Sequence, residues 1–134
     1  MKYKKLSVNF VVDDINKSIA FYRDILKFNV TMSVPEAITQ ETEIKWVAMK
    51  RDQVEIMFQL RKSAIKSHPE FNNQQPGGSL TLYLEMEGID QLYKEIKDKV
   101  TLVQDMHTEF YGMREFSIKD CNNFILTFAE KIKA

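Results

Sequence analysis

Leu6-Ser7-Val8-Asn9-Phe10-Val11-Val12 and Leu80-Thr81-Leu82-Tyr83-Leu84-Glu85-Met86 lie 74 residues apart and alternate in the same phase, with the large apolar residues at matching places. Alternation of period two marks a strand with one buried face. Ile15 and Ile89 follow at the same spacing, and each opens an amphipathic helical pattern. Further on, Val54-Glu55-Ile56-Met57-Phe58 matches Phe124-Ile125-Leu126-Thr127-Phe128. A self-similar period of this length signals two copies of one supersecondary unit. Two such units side by side predict a cleft between their sheets, and clefts are where small ligands bind.

Each unit spells βαβββ. In the first, a strand over 6–12 ends at Asp13-Asp14, where Asp14 can cap the next helix. Ile15, Ile19, Tyr22, Ile25 and Leu26 then recur at helical spacing through Lys27. Phe28, Val30, Met32 and Val34 alternate up to Pro35, and residues 36–43 read as loop. Residues 44–49 and 54–60 predict a hairpin around Arg51-Asp52. Residues 61–78 are polar, with His68-Pro69, Asn72-Asn73-Gln74-Gln75 and Pro76-Gly77-Gly78. That composition predicts a linker, with room for a short helix near 63–68. The second unit has strands expected over 80–86, 101–104, 113–119 and 124–130, and a helix over 89–99. Phe110-Tyr111-Gly112 and Asp120 to Asn123 are its turns. The expected class is α+β, with two βαβββ modules related by an internal pseudo-twofold and sheets curved around a cleft. The chain is expected to form one domain, with modules at 1–62 and 79–134 joined by a linker at 63–78.

Composition narrows the function classes. Lys plus Arg and Asp plus Glu both number 19, so the formal net charge is zero. No basic stripe interleaves with aromatics, which argues against nucleic acid, since phosphate binding needs concentrated positive charge. No apolar run approaches the ~18 residues of a membrane span, and residues 6–12 alternate like a strand and unlike a signal sequence. A lone cysteine, Cys121, allows no internal disulfide and fits a cytoplasmic setting.

Three stretches carry a family resemblance. They are Val11-Val12-Asp13-Asp14-Ile15-Asn16-Lys17-Ser18 with Phe21-Tyr22 and Leu26, then Tyr111-Gly112-Met113-Arg114-Glu115-Phe116, then Asp120-Cys121-Asn122-Asn123-Phe124-Ile125-Leu126. In this order and spacing the chain resembles the vicinal oxygen chelate superfamily of glyoxalases, extradiol dioxygenases and bleomycin-resistance proteins. The last stretch resembles that family's Asp-Pro-Asp/Asn-Gly turn. Here Cys121 stands for the proline and Asn123 for the glycine, and Asn tolerates the left-handed backbone such a turn requires.

In the metalloenzymes of that family, ligands come from the first, fourth, fifth and eighth strands. The resemblance carries these positions onto Ser7, onto Glu55 by pattern or Met57 by internal symmetry, onto Thr81 and onto Thr127. Hydroxyls are poor ligands for metals that take imidazole, carboxylate or thiolate. The expectation is therefore no metal and no cofactor. His68 and His107 read as solvated loop residues.

If Val8, Phe10, Leu82, Leu84, Phe124, Leu126 and Phe128 face the helices, the alternate residues face the cleft. Ser7, Asn9, Glu55, Met57, Gln59, Thr81, Tyr83 and Thr127 are then the ligand-binding set. Hydroxyls, amides and an acid around Met and Tyr suit a neutral or cationic organic molecule. Glu55 is the general-base candidate, should burial raise its pKa. Arg114 shares parity with Phe116 and Ile118 and should turn to the helix. Cys121 has no histidine near it in sequence to activate it.

Three classes follow: a metal-free small-molecule binder resembling the bleomycin-resistance members, a metal-dependent lyase, isomerase or dioxygenase, and a scaffold with a vestigial site. The first is preferred. A homodimer is expected, because subunits of this superfamily often exchange elements and pairing would cover exposed sheet edges.

Overall fold

The computed structural model describes residues 1–133. Its compact units are Met1–Pro76 and Gly77 onward. The first contains β1 (Val8–Val12), α1 (Ile15–Ala20), β2 (Asn29–Val34), β3 (Trp46–Arg51), β4 (Val54–Leu60) and α2 (Arg61–Ala64). The second contains β5 (Thr81–Glu85), α3 (Ile89–Ile96), β6 (Thr101–Thr108), β7 (Met113–Lys119) and β8 (Ile125–Lys131). The sheets run β1-β4-β3-β2 and β5-β8-β7-β6, curved and open. In each, the first strand pairs in parallel with the last, and the other neighbours are antiparallel. The fold is α+β with two βαβββ modules, as the repeat predicted.

The cores follow the alternation. Phe10, Val12, Ile56 and Phe58 are buried in the first sheet, and Phe116, Ile118, Leu126 and Phe128 in the second. Tyr22, which follows α1, lies 5.0 Å from Phe58, and Phe58 stacks on Phe10 at 5.3 Å. In the second unit Tyr93 of α3 meets Phe116 edge-on at 5.2 Å, and Phe116 lies 5.2 Å from Phe128. One face of each sheet is therefore the helix face. The opposite face carries the polar residues of the alternation.

Local chemistry sets the ends of the elements. Asp14 caps α1 by accepting from the Lys17 N–H at 3.0 Å. A π-helical turn, Phe21–Ile25, continues that helix. Lys27 then adopts φ 63°, and the Phe28 N–H returns to the Tyr22 carbonyl at 2.8 Å, the closure of a left-handed C-cap. The N-terminus of α3 has no cap of its own. The Glu130 carboxylate of β8 accepts from the Gly88 and Ile89 N–H groups at 3.2 and 3.0 Å. Negative charge there complements the helix dipole.

The expected turn at 120–123 forms as read. Asn123 has φ 68°, and the buried Asp120 accepts from the Asn122 and Phe124 N–H groups at 2.8 and 2.9 Å. The segment between the modules is more ordered than its composition suggests. It holds α2 and a 3-10 turn, Pro69–Asn73. Arg61 organises it, forking onto Asp13 at 2.7 and 2.8 Å and donating to the carbonyls of Phe71 and Gln74. β6 extends to Thr108, four residues past its expected end, because two register irregularities hide its alternation. Among the described residues, no helix is long and apolar enough to cross a membrane.

Candidate functional site

The polar face of the first unit is a ladder of side chains from β1 and β4. Asn9 lies opposite Met57 in the parallel register. It donates to Gln59 at 2.9 Å, and Gln59 donates onward to Ser63 of α2 at 3.2 Å. Glu55 takes the Lys5 ammonium at 2.9 Å. Its side chain is 28% exposed, so Glu55 is an ion-paired carboxylate and not an isolated base. Ser7 lies one residue before β1.

The polar face of the second unit is built around Glu115. This β7 carboxylate is 95% buried, its side chain showing 5% exposure. Alternation places it opposite Phe116 and Ile118, on the face shared by Ser117, Tyr83 and Thr127. Ser117 and Thr127 hydroxyls are 2.8 Å apart, and Thr127 lies opposite Tyr83 in the sheet. Glu115 Oε2 accepts both the Tyr83 hydroxyl, at 2.5 Å, and the Tyr111 hydroxyl, at 2.8 Å. Its Oε1 points toward His107 Nε2 at 3.9 Å. His107 Nε2 also meets Glu109 Oε1 at 3.0 Å, and its Nδ1 lies 2.8 Å from the Asp105 carbonyl.

These contacts fix protonation states. The hydrogen bond to Glu115, burial and the neighbouring negative charge raise the Tyr83 phenol far above its ordinary value. The same hydrogen bond, aided by burial, pushes Tyr111 up to about 12. Both tyrosines are therefore standing donors and not bases. The Asp105 carbonyl only accepts, so His107 Nδ1 carries a proton. That bond raises the His107 pKa, burial opposes it, and the Glu109 and Glu115 carboxylates raise it further.

Of the residues expected from sequence, Asn9, Glu55, Met57 and Gln59 meet on one face of the first unit. Thr81, Tyr83 and Thr127 meet on one face of the second. The sheet register also addresses the choice between Glu55 and Met57. Val8 lies opposite Ile56 as Leu82 lies opposite Leu126, so Met57 is the counterpart of Thr127. Arg114 turns to the helix face as its parity required, donating to Asp90 of α3 at 3.0 and 2.9 Å. His107 corrects the expectation of a solvated loop histidine. It belongs to β6, its side chain is 25% exposed, and both ring nitrogens are engaged. His68 is exposed and sets its ring edge-on to Phe71 at 6.0 Å. Sequence reasoning missed Glu115 and Glu109. The signal for Glu115 was present, because an acid at the parity opposite Phe116 and Ile118 must sit on the non-helix face.

Comparison with known proteins agrees with this architecture. A family-wide sequence model for the Glyoxalase/Bleomycin resistance protein/Dioxygenase superfamily matches residues 6–128. No protein of curated function matches the sequence. Among solved structures, the chain is similar to a glyoxalase/bleomycin resistance protein/dioxygenase from Nocardioides, with TM-score 0.78, 11% identity and coverage of 100% of this chain and 87% of that one. It is similar to a superfamily member from Sphaerobacter thermophilus, with TM-score 0.73, 18% identity and coverage of 97% and 98%. A glyoxalase-related enzyme from Clostridium phytofermentans has TM-score 0.70, 20% identity and coverage of 98% of each chain. With the repeat, the doubled βαβββ connectivity and the family match over almost its whole length, the chain belongs to the glyoxalase/bleomycin resistance protein/dioxygenase superfamily.

Proposed function

We propose that the protein binds a small organic molecule on the polar sheet faces, without a metal at the positions where the family's metalloenzymes hold theirs. One observation carries this reading. The four positions are occupied by Ser7, Met57 (the register counterpart of Thr127), Thr81 and Thr127. Three hydroxyls and a thioether do not fit the group, since borderline divalent ions take imidazole, carboxylate or thiolate. Choosing Glu55 for the second position still leaves one carboxylate, already paired with Lys5.

The faces suit recognition instead. Asn9 and Gln59 offer amides, Thr81 and Thr127 hydroxyls, and Tyr83 and Met57 apolar surface with a polar edge. A few placed polar groups among apolar ones is the usual make-up of an organic-ligand site. The buried carboxylate of Glu115 favours a neutral or cationic molecule over an anionic one.

Native mass spectrometry of the purified protein, followed by a thermal-shift screen with small aromatic amines and neutral aromatics, tests the reading. The expected result is a ligand whose affinity falls roughly five- to a hundredfold in Thr81→Val or Glu55→Gln, from the ~1–3 kcal/mol of a lost hydrogen-bond partner that the bound ligand would bury. A ligand held equally well by both variants would place binding elsewhere. One equivalent of metal lost on Glu55→Gln would replace the reading with a metalloenzyme of the same superfamily.

A further inference from the structure

We propose that His107, Glu109 and Glu115 form a binding site for a divalent transition metal of the zinc type, at positions different from the family's ligand set. The site lies wholly within the second unit, on β6, on β7 and on the turn joining them.

One imidazole nitrogen and two carboxylate oxygens converge with all three atoms within 4.8 Å of one another. The individual separations from His107 Nε2 are 3.0 Å to Glu109 and 3.9 Å to Glu115. Donors about 2.0–2.1 Å from a tetrahedral ion stand about 3.3 Å apart. Small rotations of Glu109 and Glu115 therefore close the triangle. One imidazole with two carboxylates suits zinc, manganese, iron or cobalt better than calcium or magnesium, which prefer all-oxygen shells. Three protein ligands leave a further position open.

The outer contacts point the same way, independently of the donor set. A metal-binding histidine commonly donates its other N–H to a backbone carbonyl, which fixes the ring and its tautomer. His107 Nδ1 does this with Asp105 at 2.8 Å, leaving Nε2 to face the carboxylates. Ligating carboxylates are themselves held by hydrogen bonds. Tyr83 and Tyr111 both donate to Oε2 of Glu115, which orients the other oxygen into the cluster. That Oε1 takes neither phenol and faces His107 Nε2 at 3.9 Å, and since no fully buried side-chain oxygen lacks a partner among the described residues, it keeps some contact with solvent. A carboxylate oxygen that takes neither phenol, aimed at a histidine nitrogen beside a second carboxylate, suits a cation. His107 and Glu109 are about a quarter exposed, so an ion has a way in.

The test is titration of chelator-stripped, untagged protein with Zn²⁺, by calorimetry, and with Co²⁺, by its visible absorption. One equivalent is expected to bind. His107→Ala and Glu109→Gln should each weaken it by at least about a hundredfold, and Tyr111→Phe by about ten- to a hundredfold. His68→Ala and Thr81→Val should leave it unchanged. Glu109 is partly exposed, so Glu109→Gln keeps the test decisive even if a change at buried Glu115 unfolds the unit. Failure of the wild type to bind Zn²⁺ at about 100 µM, or binding that survives both His107→Ala and Glu109→Gln, would overturn the proposal. Loss on Thr81→Val with the His107 variant intact would instead place the metal at the family position, sinking this proposal and the metal-free part of the preceding one together.

Discussion

Glu115 carries the strongest electrostatic demand among the residues of the second unit's polar face. A carboxylate this buried is costly unless hydrogen-bonded, and hydrogen bonds to a charged group are worth more than neutral ones. Tyr83 supplies one of its two phenol donors. Tyr83 is itself half exposed, at 52%, so solvent screens part of the gain. Tyr83→Phe is therefore expected to destabilise the protein by about 1 kcal/mol, at the low end for a charged hydrogen bond. A chemical denaturation midpoint checks this, and an unchanged midpoint would show that Tyr111 alone suffices. A second residue-scale prediction concerns Asp120, which satisfies two backbone N–H groups. Asp120→Ala leaves both without that acceptor and is expected to cost about 2–3 kcal/mol. In the same turn, Asn123 has φ 68°, which β-branched side chains resist. Asn123→Val should destabilise, whereas Asn123→Gly should not, and thermal unfolding of the pair separates backbone strain from lost side-chain contacts.

At the scale of elements, Arg61 ties the segment between the modules to the end of β1. Its guanidinium holds the Asp13 carboxyl below the usual carboxylate value, chiefly by the hydrogen bond, with burial opposing and charge attraction adding. A group whose folded pKa is lowered stabilises the fold above its unfolded pKa, about 3.9 for Asp, and loses that contribution as pH falls through the folded value. Cleavage within residues 61–76 by pepsin, compared at each pH with Asp13→Asn, should therefore be slower in the native chain above about pH 4 and approach the variant's rate as pH falls below it. Equal rates in the two proteins above that pH would mean that the carbonyl contacts to Phe71 and Gln74 hold the segment without Asp13.

The elements also show what the sequence could and could not reveal. β1, β4, β5, β7 and β8 were legible because each turns its large apolar residues to one face of its sheet, and that writes a period of two into the residue types. Arg114 was placed correctly by that rule alone. β6 was not legible past its first half, because the irregularities around Gln104 break the period, so His107 read as a loop residue. The Glu115 cluster joins β5, β6, β7 and a turn, and no local pattern announces that their side chains converge. The order in the 61–76 segment was hidden for a similar reason, since it depends on one arginine reaching Asp13 far back in the chain.

At the scale of the whole molecule, each sheet ends in edge strands whose backbone groups seek partners. Of these edges β2 exposes the most large apolar side chains, Val30, Met32 and Val34, the last two at 61% and 50% exposure. Exposed apolar edges invite pairing with another chain. A homodimer is the expected state in solution, with light scattering at micromolar concentration giving about twice the chain mass. Replacing Met32 with Lys should shift that mass toward the monomer if β2 takes part, and should leave it unchanged if pairing uses another edge.

The parallel pairing of first and last strands has a further consequence, for the order of assembly. Val8–Val12 is synthesised early but hydrogen-bonds to residues 56–60, and Thr81–Glu85 likewise waits for residues 125–129. The antiparallel ribbon β3–β4 forms from neighbouring residues and can close at once, whereas each parallel seam must first close a long loop. During translation the opening strand of each module is therefore an unpaired apolar segment until the module's final strand emerges. The interval in which this chain is most exposed to aggregation is set by the time needed to make those intervening residues.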